Sequence, residues 1–250
     1  MTPALKIGLQ AIVLGDKYNI ADDSVLDAVA AAGYEALECV AADPKPFRTQ
    51  LDQRRLVYAG AHTTPSKLED VTGLIETLQI MGAADVCNSG LLDWNERSPD
   101  DYRRTIDILN RAGRSLRAEG IHLHYHNHDF EFEQQEVIGG RTGMDLLLEG
   151  LDPAAVDLCV DVGWVHKAGL DPVTFLAEHA DKVGYLHFKD YSDTGWAEIG
   201  TGKVDFQPVV DMLPKLADVR WIVLEQDNTT IDPLDSLRIS RENLAVQYGI

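Results

Sequence analysis

The stretch SPDDYRRTIDILNRAGRSLRAEGIHLHYH, Ser98 to His126, changes its period partway along, and that change decides the fold. Up to Gly120 the residues Tyr102, Ile106, Leu109, Gly113 and Leu116 recur at helical spacing and form one apolar stripe. Ser98 supplies an N-cap, Pro99 a first-turn proline, Asp100 and Asp101 early acids, and Gly120 a stop. From Ile121 the period falls to two. Ile121, Leu123 and Tyr125 would face one side of a strand, and His122, His124 and His126 the other. A helix that hands over directly to a strand is half of a repeating β–α unit.

The same alternation runs through the whole chain. Short apolar runs occur at Ile7–Val13, Ala36–Val40, Leu56–Ala61, Asp85–Asn88, Ile121–His126, Asp157–Asp161, Val183–Lys189 and Trp221–Glu225. Between them, Val71, Leu74, Ile75, Leu78 and Met81 form a second helical stripe, and further helices are expected at Asp23–Ala32, Phe47–Arg54, Gly143–Glu149, Pro172–His179, Phe206–Leu216 and Leu234–Gln247. Eight strands with intervening helices in 250 residues predict an α/β fold, a parallel (β/α)8 TIM barrel forming a single domain over residues 1–250. No G-x-G-x-x-G or P-loop follows the first strand, which disfavours a nucleotide-binding sheet. The segment Tyr191–Val204, with Gly195, Gly200 and Gly202, is expected to lie over the barrel mouth.

Composition narrows the function classes. The chain is 45% hydrophobic and 25% charged, and its formal net charge of −19 repels phosphate backbones and anionic lipid. Nucleic acid and membrane are therefore not expected as partners; a homo-oligomer is compatible with the composition. Cys39, Cys87 and Cys159 form no C-x-x-C pair and read as small buried hydrophobes in a reducing compartment. Met1-Thr2-Pro3-Ala4-Leu5-Lys6 lacks the apolar core of a signal peptide, and no run approaches about 18 apolar residues, so a cytoplasmic location is expected.

In such barrels chemistry sits at the carboxyl ends of the strands. Asp161, His187 and Glu225 occupy equivalent ends of three successive strands and should converge on one point. Two carboxylates and an imidazole suit a divalent cation such as manganese, cobalt, magnesium or zinc, and a cation relieves the repulsion between the acids. Three histidines on one strand face, with His128 just beyond, point to a ligand or proton-transfer role for at least one of them. Lys189 shares the face of His187; His62, ending Tyr58-Ala59-Gly60-Ala61-His62, would line the pocket; Glu38 is a further candidate contact.

The phrases Tyr125-His126-Asn127-His128-Asp129-Phe130-Glu131-Phe132, Asp161-Val162-Gly163-Trp164, His187-Phe188-Lys189-Asp190, Glu198-Ile199-Gly200-Thr201-Gly202 and Glu225-Gln226-Asp227 resemble the xylose-isomerase-like TIM barrel superfamily. The resemblance is nearer to its sugar phosphate isomerase/epimerase branch, close to inosose dehydratases and enzymes acting on 3-keto sugars. It implies a divalent metal held by Asp161, His187, Glu225 and one residue after the fifth strand, either His126 or Glu131. It implies Glu225 or Glu131 as base, His128, His126 or Lys189 as proton partner, and His62, Asn127 and Trp164 as substrate contacts. Trp164 stands where many relatives have His, and reads as a sugar-stacking wall. The implied activity is metal-dependent isomerisation or epimerisation of a ketose or polyol-ketone through an enediolate. The alternatives are a lyase that dehydrates a keto-inositol or 3-keto sugar, and a catalytically inactive sugar-binding or regulatory barrel. A non-phosphorylated carbohydrate is the expected small-molecule partner.

Overall fold

In a computed structural model, which describes residues 5–135 and 139–250, the eight apolar runs pair side by side and close on themselves. The barrel strands are β1 (Lys6–Gln10), β2 (Ala36–Cys39), β3 (Val57–Thr63), β4 (Asp85–Ser89), β5 (His122–His126), β6 (Val156–Asp161), β7 (Val183–Phe188) and β8 (Trp221–Leu224). Each is parallel to both neighbours, and β8 returns to pair with β1, with Ile7 opposite Ile222 and Leu9 opposite Leu224. The α/β TIM barrel expected from the alternation is the fold observed. Residues 1–4 of the N-terminal segment lie outside the described residues, and among the described residues no helix is long and apolar enough to cross a membrane.

The helices follow from local signals. Pro99–Ala118 is capped by the Ser98 hydroxyl, which accepts from the Asp101 amide, and buries Tyr102, Ile106, Leu109, Gly113 and Leu116. Thr142 and Asp145 form a reciprocal capping box at the start of Gly143–Gly150. Thr72–Met81 and Pro233–Tyr248 fall within a residue or two of expectation, and Gln207–Met212 is shorter, passing into a 3-10 turn at Leu213–Lys215.

Two local readings need correction. The first apolar run is not all strand: β1 stops at Gln10, whose side chain accepts from the Ile12 amide, and Ala11–Leu14 coils into a 3-10 turn. Val13 and Leu14 are buried within that turn, so the run stays apolar after the strand has ended. The helix at Val162–Lys167 is not signalled by the sequence pattern; it begins directly at the end of β6, with Asp161 as its N-cap and no break residue to mark it.

Inside the barrel, Ala36, Ala59, Cys87, Cys159, Tyr185 and Val223 pack as one layer across the axis, separate from the larger core between strands and helices. All three cysteines are buried and free of disulfides, as their apolar reading required. Above this layer the strand ends open onto the polar cluster described next.

Candidate metal centre

β6 delivers Asp161 to the barrel mouth and fixes it three times over. Its amide donates to Asn127 Oδ1 at 2.9 Å, its carbonyl accepts from Asn127 Nδ2 at 3.4 Å, and its Oδ1 accepts from the Trp164 amide at 2.9 Å. The other oxygen, Oδ2, points inward, buried and without a hydrogen-bond partner. The end of β5 aims His126 at the same place, its Nε2 lying 3.4 Å from Asp161 Oδ2 and 3.3 Å from Glu225 Oε2. Neither ring nitrogen of His126 has a hydrogen-bond partner of acceptable geometry. His187 near the end of β7 presents Nδ1 to Glu225 Oε2 at 2.5 Å, and its Nε2 meets Glu38 Oε2 at 3.0 Å. His126, Asp161, His187 and Glu225 thus each offer a ligand atom, all within 4.8 Å of one another and all buried.

Orphaned buried polar atoms are costly, and His126 Nε2 facing Asp161 Oδ2, neither with a hydrogen-bond partner among the described residues, fits a cation between them. Two imidazoles and two carboxylates match the donors preferred by zinc, manganese or cobalt. Burial works to lower the His126 pKa, but Glu225 and Asp161 override it and push the ring up to about 10. For Glu225, burial opposes ionisation, and Lys189, His126 and His187 outweigh it and hold the carboxyl well below the usual range. Glu38 behaves alike: burial is overcome by His187 and His62, and its carboxyl is held low. Glu38 therefore orients His187 through the nitrogen opposite the cluster, while its Oε1 meets His62 Nδ1 at 2.7 Å. The thiols of Cys87 and Cys159 approach His187 from the layer beneath.

The rim carries the remaining chemistry. Lys189 is only 1% exposed, and its ammonium donates to Glu225 Oε1 at 3.0 Å and Asp227 Oδ1 at 2.6 Å. Burial disfavours its charge, yet Glu225, Asp161 and Asp227 more than compensate, so it stays an ammonium. It can sit here because Gly163 lets the Val162–Lys167 helix approach; a Cβ on Gly163 would fall 2.1 Å from the Lys189 carbonyl oxygen. The Lys189 Nζ lies 4.9 Å above the Trp164 ring and 4.3 Å above that of Trp196, and the two indoles meet edge to face at 4.5 Å. His62 (side chain 20% exposed) has its ring 6.0 Å from His126, and His128 has its ring 4.9 Å from His126, 4.8 Å from Trp94 and 5.4 Å from Trp164.

Two sequence-expected residues are placed otherwise. Glu131 is fully buried but stands outside the four-residue cluster: it accepts from the Tyr125 hydroxyl at 2.8 Å and the His128 amide at 2.7 Å. Tyr125 faces the outer core, so Glu131 lies behind the strand rather than over the mouth. Asn127 spends both ends of its amide on the Asp161 backbone. Lower on β5, His124 contacts Asp85 at 2.9 Å, and His122 contacts Arg117 and Asp157 at the opposite end of the barrel.

Two contributors escaped sequence reasoning. Trp196 sits on a hairpin of Asp190–Ser192 with Gly195–Ala197. Asp190, fully buried, holds that segment by accepting from the amides of Tyr191, Val204, Gly200 and Gly202 at 2.8 to 3.1 Å. The glycines of this segment were the visible signal, because their amides can approach one carboxylate closely.

The fold and this cluster define a TIM barrel with a candidate cation centre at the carboxyl ends of its strands. A sequence model of the family described as Xylose isomerase-like TIM barrel matches residues 26–247, and the chain belongs to that family. It is 27% identical over 276 aligned residues to an inosose dehydratase of Geobacillus kaustophilus (strain HTA426), across 92% of this chain and 87% of that protein. It is similar in structure to a sugar phosphate isomerase/epimerase from Parabacteroides distasonis ATCC 8503, with a TM-score of 0.80 and 22% identity over 96% and 94% of the two chains. It is also similar to an IolI protein with a bound zinc atom, with a TM-score of 0.76 and 11% identity over 98% and 99%. At such identities the two structures bear on the fold alone.

Proposed function

We propose that this chain is a divalent-metal-dependent lyase that dehydrates a cyclic keto-polyol of the inosose type. The observation that carries the proposal is the buried meeting of His126, Asp161, His187 and Glu225 with the facing atoms His126 Nε2 and Asp161 Oδ2 left unpaired among the described residues, beside a lysine held as an ammonium. A divalent cation held by those four residues would supply positive charge to the carbonyl and adjacent hydroxyl oxygens of the substrate. The relatedness to inosose dehydratase favours loss of water over isomerisation, because that relative aligns across nearly the whole of both chains.

The chain's own residues would divide the work. His128, braced through its amide and Nδ1 by Glu131, would remove the proton α to the carbonyl. Lys189, charged between Glu225 and Asp227, would stabilise the developing enolate oxygen and deliver a proton to the departing β-hydroxyl, which leaves as water while the carbon–carbon double bond forms. Glu225 serves as ligand first; with its oxygens already engaged by Lys189 and His187 it is the weaker candidate base. Trp164 and Trp196 offer apolar faces for the ring, and His62 a hydrogen bond from the far side.

A second reading is isomerisation or epimerisation, which shares the first proton abstraction. Proton NMR of the metal-loaded protein with an inosose in deuterium oxide separates them. Dehydration removes one carbinol CH signal and, through an enol that tautomerises to the α-diketone, gives a deuterium-labelled deoxy carbon, whereas epimerisation gives deuterium at the α carbon with every hydroxyl-bearing carbon retained. Turnover of neither kind, in protein carrying stoichiometric metal, would point to the inactive barrel.

A further inference from the structure

We propose that Glu198 is a positioning residue that ties the segment carrying Trp196 to the strand end carrying Glu225, so that one side chain sets both the grip on the cation and the wall against the substrate ring; the second effect rests on the metal-dependent reading of the site. Glu198 opens the phrase Glu198-Ile199-Gly200-Thr201-Gly202 and lies two residues after Trp196. Its side chain is half-buried, and three bonds converge on Oε1, from Gln226 Nε2 at 3.3 Å, Thr229 Oγ1 at 3.0 Å and the Ser236 hydroxyl at 2.8 Å. Gln226 directly follows Glu225 beyond the end of β8. Its Nε2 also donates to the Asn228 carbonyl at 3.0 Å, which fixes the amide that meets Glu198.

Anchoring the segment does not by itself need this carboxylate. Asp190 already gathers the amides of Tyr191, Gly200, Gly202 and Val204. The helix Pro233–Tyr248 holds the segment from the side: Ser240 Oγ accepts from the Ile199 amide at 3.2 Å, Asn243 donates to the Ile199 carbonyl at 2.8 Å, and Gln247 to the Gly200 carbonyl at 3.5 Å. Ser236, Ser240, Asn243 and Gln247 are spaced as one face of that helix. None of those bonds from Asp190, Ser240, Asn243 and Gln247 reaches the end of β8. Glu198 adds the bond across to Gln226, and it does so with a charge. Burial opposes its ionisation, but the hydrogen bonds from Ser236, Thr229 and Gln226 outweigh burial and hold the carboxyl below its usual range. Bonds to an ionised acceptor are roughly twice as strong as neutral ones, so the joint is stiffer than an amide or hydroxyl would make it. On one side of the joint Trp196 meets Trp164 at 4.5 Å and lies 4.3 Å beneath the Lys189 ammonium; on the other, Glu225 faces His126 and His187. A shift at Glu198 therefore displaces wall and ligand together.

The test compares the whole chain with its Glu198→Ala, Glu198→Gln and Thr229→Val variants. Two constants are measured: zinc dissociation from metal-stripped protein by chelator competition, and inosose binding to zinc-loaded protein by calorimetry. Glu198→Ala should weaken both by about tenfold. Glu198→Gln keeps an acceptor at Oε1 and should return both to within about threefold of wild type. Thr229→Val removes one of the three bonds while keeping the side-chain shape and should weaken both by about twofold, which keeps the proposal open to refutation if Glu198→Ala does not fold. Zinc affinity unchanged in Glu198→Ala, with faster hydrogen exchange confined to residues 195–202, would make Glu198 an anchor of the segment alone and overturns the proposal. A loss that Glu198→Gln fails to reverse overturns it too. If wild type binds zinc and no inosose, the proposed substrate fails, and the zinc constants decide on Glu198 by themselves.

Discussion

Replacing Lys189 by Met removes one charge from a buried ion network at the barrel mouth while nearly keeping its volume. The unbranched thioether side chain fills the path of the lysine stem, so the cavity contribution is small and the electrostatic one dominates. Lys189 is 1% exposed and serves two carboxylates, Glu225 at 3.0 Å and Asp227 at 2.6 Å. Removing one partner of a buried pair costs about 3–5 kcal/mol, because the remaining charge is left without compensation. For a chain of this length that corresponds to a fall of roughly 6–20 °C in thermal midpoint. The assay is thermal or urea unfolding of metal-stripped wild type, Lys189→Met, Asp227→Asn and the double variant. The double variant should be less damaged than the sum of the singles, since Asp227→Asn removes one of the stranded carboxylates. A Lys189→Met protein within about 0.5 kcal/mol of wild type, the ordinary range for a surface substitution, would refute the reasoning.

Further perturbations probe other links. Asp190→Asn turns one acceptor oxygen into a donor facing two backbone amides, so hydrogen exchange across residues 190–204 should accelerate well before the barrel itself loosens; unchanged exchange there would discount the anchor. Burial raises and His124 and Arg220 lower the Asp85 pKa, with a net depression. A depressed folded-state pKa means that its stabilisation is complete above about pH 4 and is lost as pH falls through the folded value. Asp85→Asn should therefore lower stability at neutral pH and flatten the acid limb of the stability profile; parallel profiles would contradict this. Trp196→Ala should raise KM with little change in kcat if the indole only holds the ring, and an unchanged KM would remove it from the pocket.

The order of strands and the residues at their ends were legible because both rest on short-range rules. A period of two placed His126 on the interior face, and the end of an apolar run placed Asp161, His187 and Glu225 at the mouth. Glu131 shows where such rules stop: Phe130–Phe132 is a 3-10 turn, and once the strand ends, alternation no longer says which way a side chain points. The Ala11–Leu14 turn misled for the opposite reason, since burial continued after the strand geometry had ended. Glu38 could be seen as a strand-end acid, but its grip on His187, 149 residues away, exists only once the barrel closes. Trp196 and Asp190 belong to a segment without periodicity, in which only the glycines and the position over the mouth carried information.

Metal content tests the His126, Asp161, His187 and Glu225 cluster most directly. Protein purified without chelator and analysed for elements should carry about one divalent ion per chain, and that ion should be lost in His126→Ala and in Asp161→Asn while both variants keep the wild-type circular dichroism. An ion-free wild type that also fails to bind added zinc, manganese or cobalt, or an ion retained undiminished in both variants, would contradict the assignment of His126, Asp161, His187 and Glu225 as the metal centre.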